Sequence, residues 1–518
     1  MCRPDDSTTS STSITNVVIS GAGPAGLLLT ALLMQRNREL PTPVYNVTLL
    51  DGRQDLSQFS TEELKKSFRS WMLGLAGHGV TALRTCHGLY EEYCKEVGIE
   101  LKSASIHLGK KEFVQSGGND PDNESFIVDR NFIVAALARF VADAVKDDQG
   151  EDTTTTTLLY EHKVMYVDYE QRRVLVRSNN NNNNNNEDDE FYIPYDLLVG
   201  CDGVRSVVRE ALVKRHSTFE MDVGDIFQTF KAVHVERPPS VTEASLHLLP
   251  DCFPLMQGIA LPETGNMLNL SAGVPRNLFD RIPQELKSDD PKVVAEYVKK
   301  AFLPFELVDY DDFARQWVGQ RWNRTGQVHC NFYHSTDINV VIMGDAAHAT
   351  SPSIGMGMNT ALRDAQIFYE LLQQHKDDLQ QVLPDFSLKR VKEGNSLTDL
   401  AMHLYCMDPK AQFIETLHLV GRSILHKMLP FLIDEHPQAM IGRVKYQLSD
   451  VYEQATKLNI MSKHRRINDG IRQSYFEQTT GMISSKSKSP SFFKQALVVG
   501  GVAILVGGTL GYVWNNKS

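Results

Sequence analysis

The sequence predicts an α/β protein of mixed α+β character, with a parallel-sheet nucleotide-binding domain, a second domain on a mixed sheet, a helical C-terminal region and a terminal apolar helix. Three observations carry this expectation. Three segments far apart in the chain each directly follow an apolar run that reads as a strand: Gly21-Ala22-Gly23-Pro24-Ala25-Gly26, Cys201-Asp202-Gly203-Val204-Arg205 and Gly344-Asp345-Ala346-Ala347-His348. At 518 residues the chain exceeds the roughly 250–300 at which a single core stops growing. The stretch from about Asp222 to Trp322 holds strand-like runs without glycine-rich turns after them, which marks a different kind of sheet.

Taken in order, residues 1–15 form a polar, Ser/Thr-rich leader. Val17 to Ser20 reads as a buried strand, the glycines as a turn, Leu27 to Gln35 as a helix and Val44 to Leu50 as the next strand. Arg36 to Pro43 is a polar, Pro-containing connection. The tracts Thr153–Thr157 and Asn179–Asn186 cannot build a core; they read as surface loops beside the strand-like runs Lys163 to Val167 and Arg173 to Val176. The nucleotide-binding domain is therefore assigned to 16–221 and 323–380, and a substrate domain to 222–322, with strands at Gly258 to Leu261 and Met267 to Leu270. A helical region follows at 381–483, then a Ser/Lys linker at 484–495. Ala496 to Trp514 carries no charge and, at 19 residues, is long enough to cross a bilayer as a helix. Lys486, Lys488 and Lys494 upstream place the bulk of the chain on the cytosolic side by the positive-inside tendency.

A formal charge of −11 with scattered Lys and Arg argues against a nucleic-acid partner. Seven cysteines form no CxxC pair and no Cys/His ligand cluster, so neither a disulfide framework nor structural zinc is expected from their spacing, and a reducing compartment fits. The N-terminus lacks the apolar stretch of a secretory signal.

Gly21, Gly23 and Gly26 allow a tight turn, close approach of backbone to pyrophosphate and close helix–strand packing. The helix start that follows, with Ala25, offers N–H groups to phosphate. Asp51, ending the next strand, is the candidate acceptor for ribose hydroxyls; its separation from Gly21, 30 residues, is lengthened by the Arg36 to Pro43 connection. Gly344 and Asp345 place a carboxylate where ribityl hydroxyls can be held. Pro352, Gly355 and Gly357 form a loop before a helix starting near Met358-Asn359, aimed to stabilise negative charge on a reduced ring. These parts together describe one FAD. His348 reads as a packing or hydrogen-bonding residue, because no Ser, Cys or carboxylate partner is evident near it in the sequence.

The glycine-rich start, the Asp202-Gly203 segment and the Gly344-Asp345 segment resemble the three fingerprints of the single-component FAD-dependent aromatic hydroxylases. Within that family the likeness is to the kynurenine 3-monooxygenases. Arg69-Ser70-Trp71-Met72-Leu73-Gly74-Leu75 is similar to their Arg-Ser-Ile-Asn-Leu-Ala-Leu, and Ser245-Leu246-His247-Leu248-Leu249-Pro250 to their Tyr-Leu-His-Ile-Trp-Pro. Leu383 to Phe386, Asp399 to Met402, Tyr405 and the terminal apolar helix continue the match. The resemblance implies that NADPH reduces FAD, that O2 adds to give a flavin hydroperoxide, and that one oxygen passes to an electron-rich aromatic ring. It also implies that Arg53 and Arg130 contact the flavin nucleotide, that Asp202 belongs to the cofactor site, and that Pro352, Ser353, Met356 and Tyr405 line the substrate pocket. The family likeness suggests the mitochondrial outer membrane; the endoplasmic reticulum or a plastid envelope fits the same anchor.

The chain departs from that pattern at the substrate. The family's Arg-x-Arg-Met-x-His stretch is here Lys102-Ser103-Ala104-Ser105-Ile106-His107, and its clamp tyrosine is Ser116. Its Phe-Phe-Gly-Gln-Gly loop is Ser353-Ile354-Gly355-Met356-Gly357, and a glutamate is replaced by Met407. An arginine holds a planar carboxylate with two parallel hydrogen bonds that alanine cannot supply, so kynurenine itself is not the expected substrate and an aromatic or lipophilic small molecule is. Two other readings fit the same fingerprints: a flavin-dependent reductase or dehydrogenase of lipophilic double bonds, and a membrane-tethered flavin-binding protein without turnover.

Overall fold

The computed structural model describes residues 14–67, 70–116, 124–148, 156–179, 190–225, 227–324 and 326–480. The apolar segment 496–514, the linker before it and Arg69 lie outside these residues.

The first sheet has six strands in the order His334–Ser335, Val340–Ile342, Leu197–Gly200, Thr15–Ser20, Tyr45–Asp51, Thr156–Tyr160, all parallel except the first. Its central strands are apolar throughout because both faces are covered: Val17 to Ile19, Leu197 to Val199 and Val340 to Ile342 are all buried. The register pairs Ser20 with Gly200 and Gly200 with Ile342. The three fingerprint segments therefore leave neighbouring strands at the same carboxyl edge, where open parallel sheets bind their ligands.

The first helix runs Pro24–Glu39, four residues beyond the expected Gln35. Arg36 to Glu39 stay helical because their polar groups are bonded within the protein. The buried Asn37 amide donates to Tyr45 O (2.8 Å) and accepts from the N–H groups of Val44 and Tyr45, while Arg36 forms a bidentate pair with Asp377.

The second sheet is mixed, in the order Gln228–Glu236, Met267–Pro275, Met256–Glu263, Ser245–Phe253, Ser103–Leu108, Lys111–Ser116. Its last two strands come from a stretch that the sequence reading places in the nucleotide-binding domain. In the first of them Ala104, Ile106 and Leu108 alternate with Ser103, Ser105 and His107, and the polar set is buried as well, so neither face reads as the solvent side. Helices Pro291–Ala301 and Tyr310–Gly319 cover one face through Leu249, Phe253, Phe313 and Trp317. The opposite face meets a small sheet, Met72–Ala76, Ser125–Asp129 and Gly98–Glu100, through Met72, Ile127, Leu246, Leu248 and Ile259. The meander His162–Asp168, Arg173–Ser178, Glu190–Pro194 contains both expected strand runs beside the asparagine tract.

The C-terminal region is helical, led by Leu379–His403, whose Asp378 cap accepts from Gln380 N and which tolerates Pro384 in its second turn. Among the described residues no helix is long and apolar enough to cross a membrane.

Candidate functional site

The glycine-rich turn is pressed against the second fingerprint. Gly21 sits at φ +110°, and a methyl group on it would lie 2.3 Å from Cys201 O and 3.0 Å from Asp202 N. A methyl on Gly26 would lie 2.0 Å from Gly21 O, so turn and helix touch backbone to backbone. Gly23 differs: nothing lies within 4 Å of the position its Cβ would take, and that open side faces away from the chain's own packing. The helix it caps has no side-chain cap and no acidic residue in its first turn, so the N–H groups at Ala25 and Gly26 remain for an anion.

Asp51 is buried at its strand end and is filled by the chain itself. One oxygen accepts from Ala22 N (2.8 Å), the other from Arg53 N (2.8 Å) and Nε (2.9 Å), and Arg53 Nη2 donates to the first. Burial alone would raise its carboxyl pKa, but the Arg53 hydrogen bonds and charge hold it below the usual range. Asp51 thus ties the glycine turn to Arg53, fixing both for the nucleotide. Arg130 stacks its guanidinium over Trp71 at 5.2 Å and has no salt bridge or side-chain hydrogen bond among the described residues. Burial and the like charge of Arg53 lower its pKa, opposed by Asp345 and Asp51. Arg53, Asp51 and Asp345 therefore all lie within electrostatic reach of Arg130.

Asp345 is exposed between buried Gly344 and Ala346, with no hydrogen bond from its carboxylate to the described chain. The turn behind it is built by residues that sequence reasoning missed. Asp364, fully buried, accepts from Gly344 N (2.9 Å) and from His348 Nε2 (2.6 Å) with one oxygen, and from Arg390 Nε (2.6 Å) with the other. His348 does have a carboxylate partner, 16 residues on in a helix where the sequence shows no spacing rule that would find it. Arg209, also buried, donates to Ala346 O and Val204 O (both 2.7 Å) and so clips the third fingerprint to the second. Asp202 accepts from Val207 N and Val208 N, which makes it a helix cap whose pKa burial raises; its contribution to the site is to shape the backbone against Gly21.

The loop before Gly357–Gln374 is similarly clamped. Asn359 Oδ1 accepts from Ala76 N (2.8 Å), and its Nδ2 donates to Gly74 O and Gly355 O. Its side chain is committed, leaving the backbone N–H groups of Gly357, Met358 and Asn359 at the helix start for the ligand. Of the pocket candidates, Met356 and Tyr405 lie in one buried apolar cluster with Ile354, Leu397 and Leu400. Ser353 Oγ donates to Ala401 O (2.9 Å), fastening the loop to helix Leu379–His403, and Pro352 is exposed.

These residues fit a long dinucleotide: an open face at Gly23, uncapped helix starts at both ends, an unpaired half-buried guanidinium at Arg130 and a free carboxylate at Asp345. A family profile described as an FAD binding domain matches residues 160–378. The chain is 23% identical over 445 residues to the kynurenine 3-monooxygenase of Sus scrofa, covering 83% of this chain and 85% of that one. In fold it is similar to 2-methyl-3-hydroxypyridine-5-carboxylic acid oxygenase (TM-score 0.53, 16% identity, 76% and 90% of the two chains). It is also similar to P. aeruginosa PqsL solved in complex with 2-aminobenzoylacetate (TM-score 0.52, 16% identity, 76% and 95%).

Fold and site define an FAD-dependent monooxygenase of the aromatic hydroxylase type, reduced by a nicotinamide nucleotide. Within that class the chain is similar to the kynurenine 3-monooxygenases.

Proposed function

We propose that this enzyme hydroxylates an aromatic substrate more apolar than an amino acid, and that residues 496–514 tether it to a membrane from which such a substrate partitions. The observation that carries the first part is Ala104. It is 2% exposed, pairs with Leu246, and shares a strand face with Ile106, which packs on Leu246, Leu248, Ile259 and Met72. This apolar layer between the two domains stands where the resemblance calls for a carboxylate-binding arginine. A carboxylate entering it would lose its hydration without a paired guanidinium, at a cost of several kcal/mol.

FAD, when bound, supplies acceptance of hydride and activation of O2. The chain's own work is to hold and to exclude. Arg53, Arg130 and the uncapped helix start at Ala25 bind anionic and ribose oxygens; Asp345 accepts hydroxyl donors; the N–H groups at 357–359 present a positive helix end to one edge of the site. The layer of Met72, Leu246, Leu248 and Ile259, with Met356 and Tyr405 on the C-terminal side, keeps water from the reacting ring.

The test is a screen of phenols, anilines and their lipophilic derivatives for stimulated NADPH oxidation with matching hydroxylated product. An uncharged or lipophilic aromatic is expected to stimulate turnover, with L-kynurenine bound more weakly than about 1 mM. Micromolar binding of L-kynurenine would refute the substrate assignment. For the tether, full-length protein is expected to stay with membranes after alkaline carbonate washing while a chain ending at residue 485 is released; release of both contradicts it.

A further inference from the structure

Behind the substrate sheet, on the face turned away from the apolar layer, three adjacent strands bring His107, Glu112 and His247 together. His107 and Glu112 are a cross-strand pair, and His247 stands on the neighbouring strand, level with Ser105. Both histidines are buried, and Glu112 nearly so. None of the three has a part in the flavin site.

The hydrogen bonds on the outer side of each ring fix which nitrogen carries the proton. His107 Nδ1 lies 3.2 Å from Pro304 O, and His247 Nε2 lies 3.0 Å from Thr242 O. A carbonyl oxygen only accepts, so each ring is an N–H donor on that side. In the neutral rings the opposite nitrogens, His107 Nε2 and His247 Nδ1, then turn lone pairs towards each other at 3.1 Å. Glu112 Oε1 faces the same point, 3.4 Å from His247 Nδ1 and 4.0 Å from His107 Nε2, and it is buried with no hydrogen-bond partner among the described residues. With both rings neutral, three electron-rich atoms converge on one point.

A cation resolves that arrangement. For donor atoms separated by 3.1, 3.4 and 4.0 Å, a point about 2.1 Å from all three exists in their plane, which matches the roughly 2.0–2.2 Å at which Zn²⁺ binds imidazole nitrogen and carboxylate oxygen. The carbonyl oxygens of Pro304 and Thr242 supply the outer contacts that hold metal-binding histidines in one tautomer. We infer that His107, Glu112 and His247 form a binding site for a divalent transition metal of the Zn²⁺ class, with a fourth position left for water. Bound metal would join strands Ser103–Leu108, Lys111–Ser116 and Ser245–Phe253 at one point, and through His107 it would steady the Pro304-Phe305 segment, whose Phe305 ring packs 5.5 Å from that imidazole.

The experiment uses the full-length flavoprotein, stripped with a chelator and titrated with ZnCl2 against a competing chromophoric chelator, then with CoCl2 for its visible spectrum. One Zn²⁺ per chain is expected, retained after the cysteines are alkylated, with a Co²⁺ spectrum free of thiolate charge transfer and a higher Tm with metal. His107→Gln and Glu112→Gln are each expected to weaken binding at least about tenfold while the flavin spectrum is kept. Should either variant fail to fold, the wild-type titration decides alone. Absence of stoichiometric binding, binding lost on cysteine alkylation, or equal affinity in a folded variant overturns the inference; the first of these would leave a proton shared between the two rings as the occupant.

Discussion

Replacing Asp364 with alanine is expected to remove about 3–5 kcal/mol of stability, because it leaves Arg390 buried without its carboxylate and frees His348 and Gly344 N at the same time. The measurement is a urea unfolding midpoint for the Asp364→Ala protein against wild type. The loss extends to the cofactor: Gly344 is held at φ +57° by that bond, and the next residue is the exposed Asp345. Any folded Asp364→Ala protein is therefore expected to purify with depleted flavin. The pH dependence follows in sign. Burial alone would raise the Asp364 carboxyl, but His348 and Arg390 hold it at about 2. A carboxyl depressed in the folded state contributes stability that is complete above its unfolded value near 4 and is lost as pH falls towards about 2. Wild type is expected to lose stability across that window, and Asp364→Ala to show a shallower decline there.

The second large effect separates folding from binding at two glycines only two residues apart. Gly21→Ala places a methyl 2.3 Å from a backbone oxygen that cannot move without parting strand Thr15–Ser20 from Leu197–Gly200, and does so at a φ that L-residues avoid. It is expected to give insoluble or colourless protein. Gly23→Ala meets nothing within 4 Å, so its Tm is expected to stay within a few degrees of wild type. Its FAD affinity is nevertheless expected to fall by about a hundredfold, since the methyl occupies the side from which pyrophosphate approaches the backbone. Thermal melts and FAD titrations of both variants check this. A Gly23→Ala protein that binds FAD as wild type does would place the phosphates elsewhere.

Much of the site was legible because its chemistry is local. Gly21 to Gly26, Asp51 and Gly344-Asp345 each sit at a strand end that the apolar runs mark, and the strand register then aligns them. What stayed hidden depends on contacts across the fold. Asp364, Arg390 and Arg209 are ordinary helix residues in the sequence, and only the packing of helices onto the sheet edge gives them their partners. Asn359 and Asp202 were legible as members of the site, yet the Asn359 side chain is spent on Ala76 and Gly74 and one Asp202 oxygen on a helix start. Strands Ser103–Leu108 and Lys111–Ser116 were missed because the apolar alternation of Ala104 and Ile106 is short and the opposite, buried face of the first strand carries Ser105 and His107, which defeats any reading that equates burial with apolar residues. The same polar inward face supplies the proposed metal ligands.

The central claim is that segments separated by more than three hundred residues build one binding site for a single FAD. Titrating flavin-stripped, folded protein with FAD while following flavin fluorescence and visible absorbance tests it most directly. The account predicts saturation at one FAD per chain with a yellow complex that NADPH bleaches, and a folded protein that takes up no FAD would contradict it.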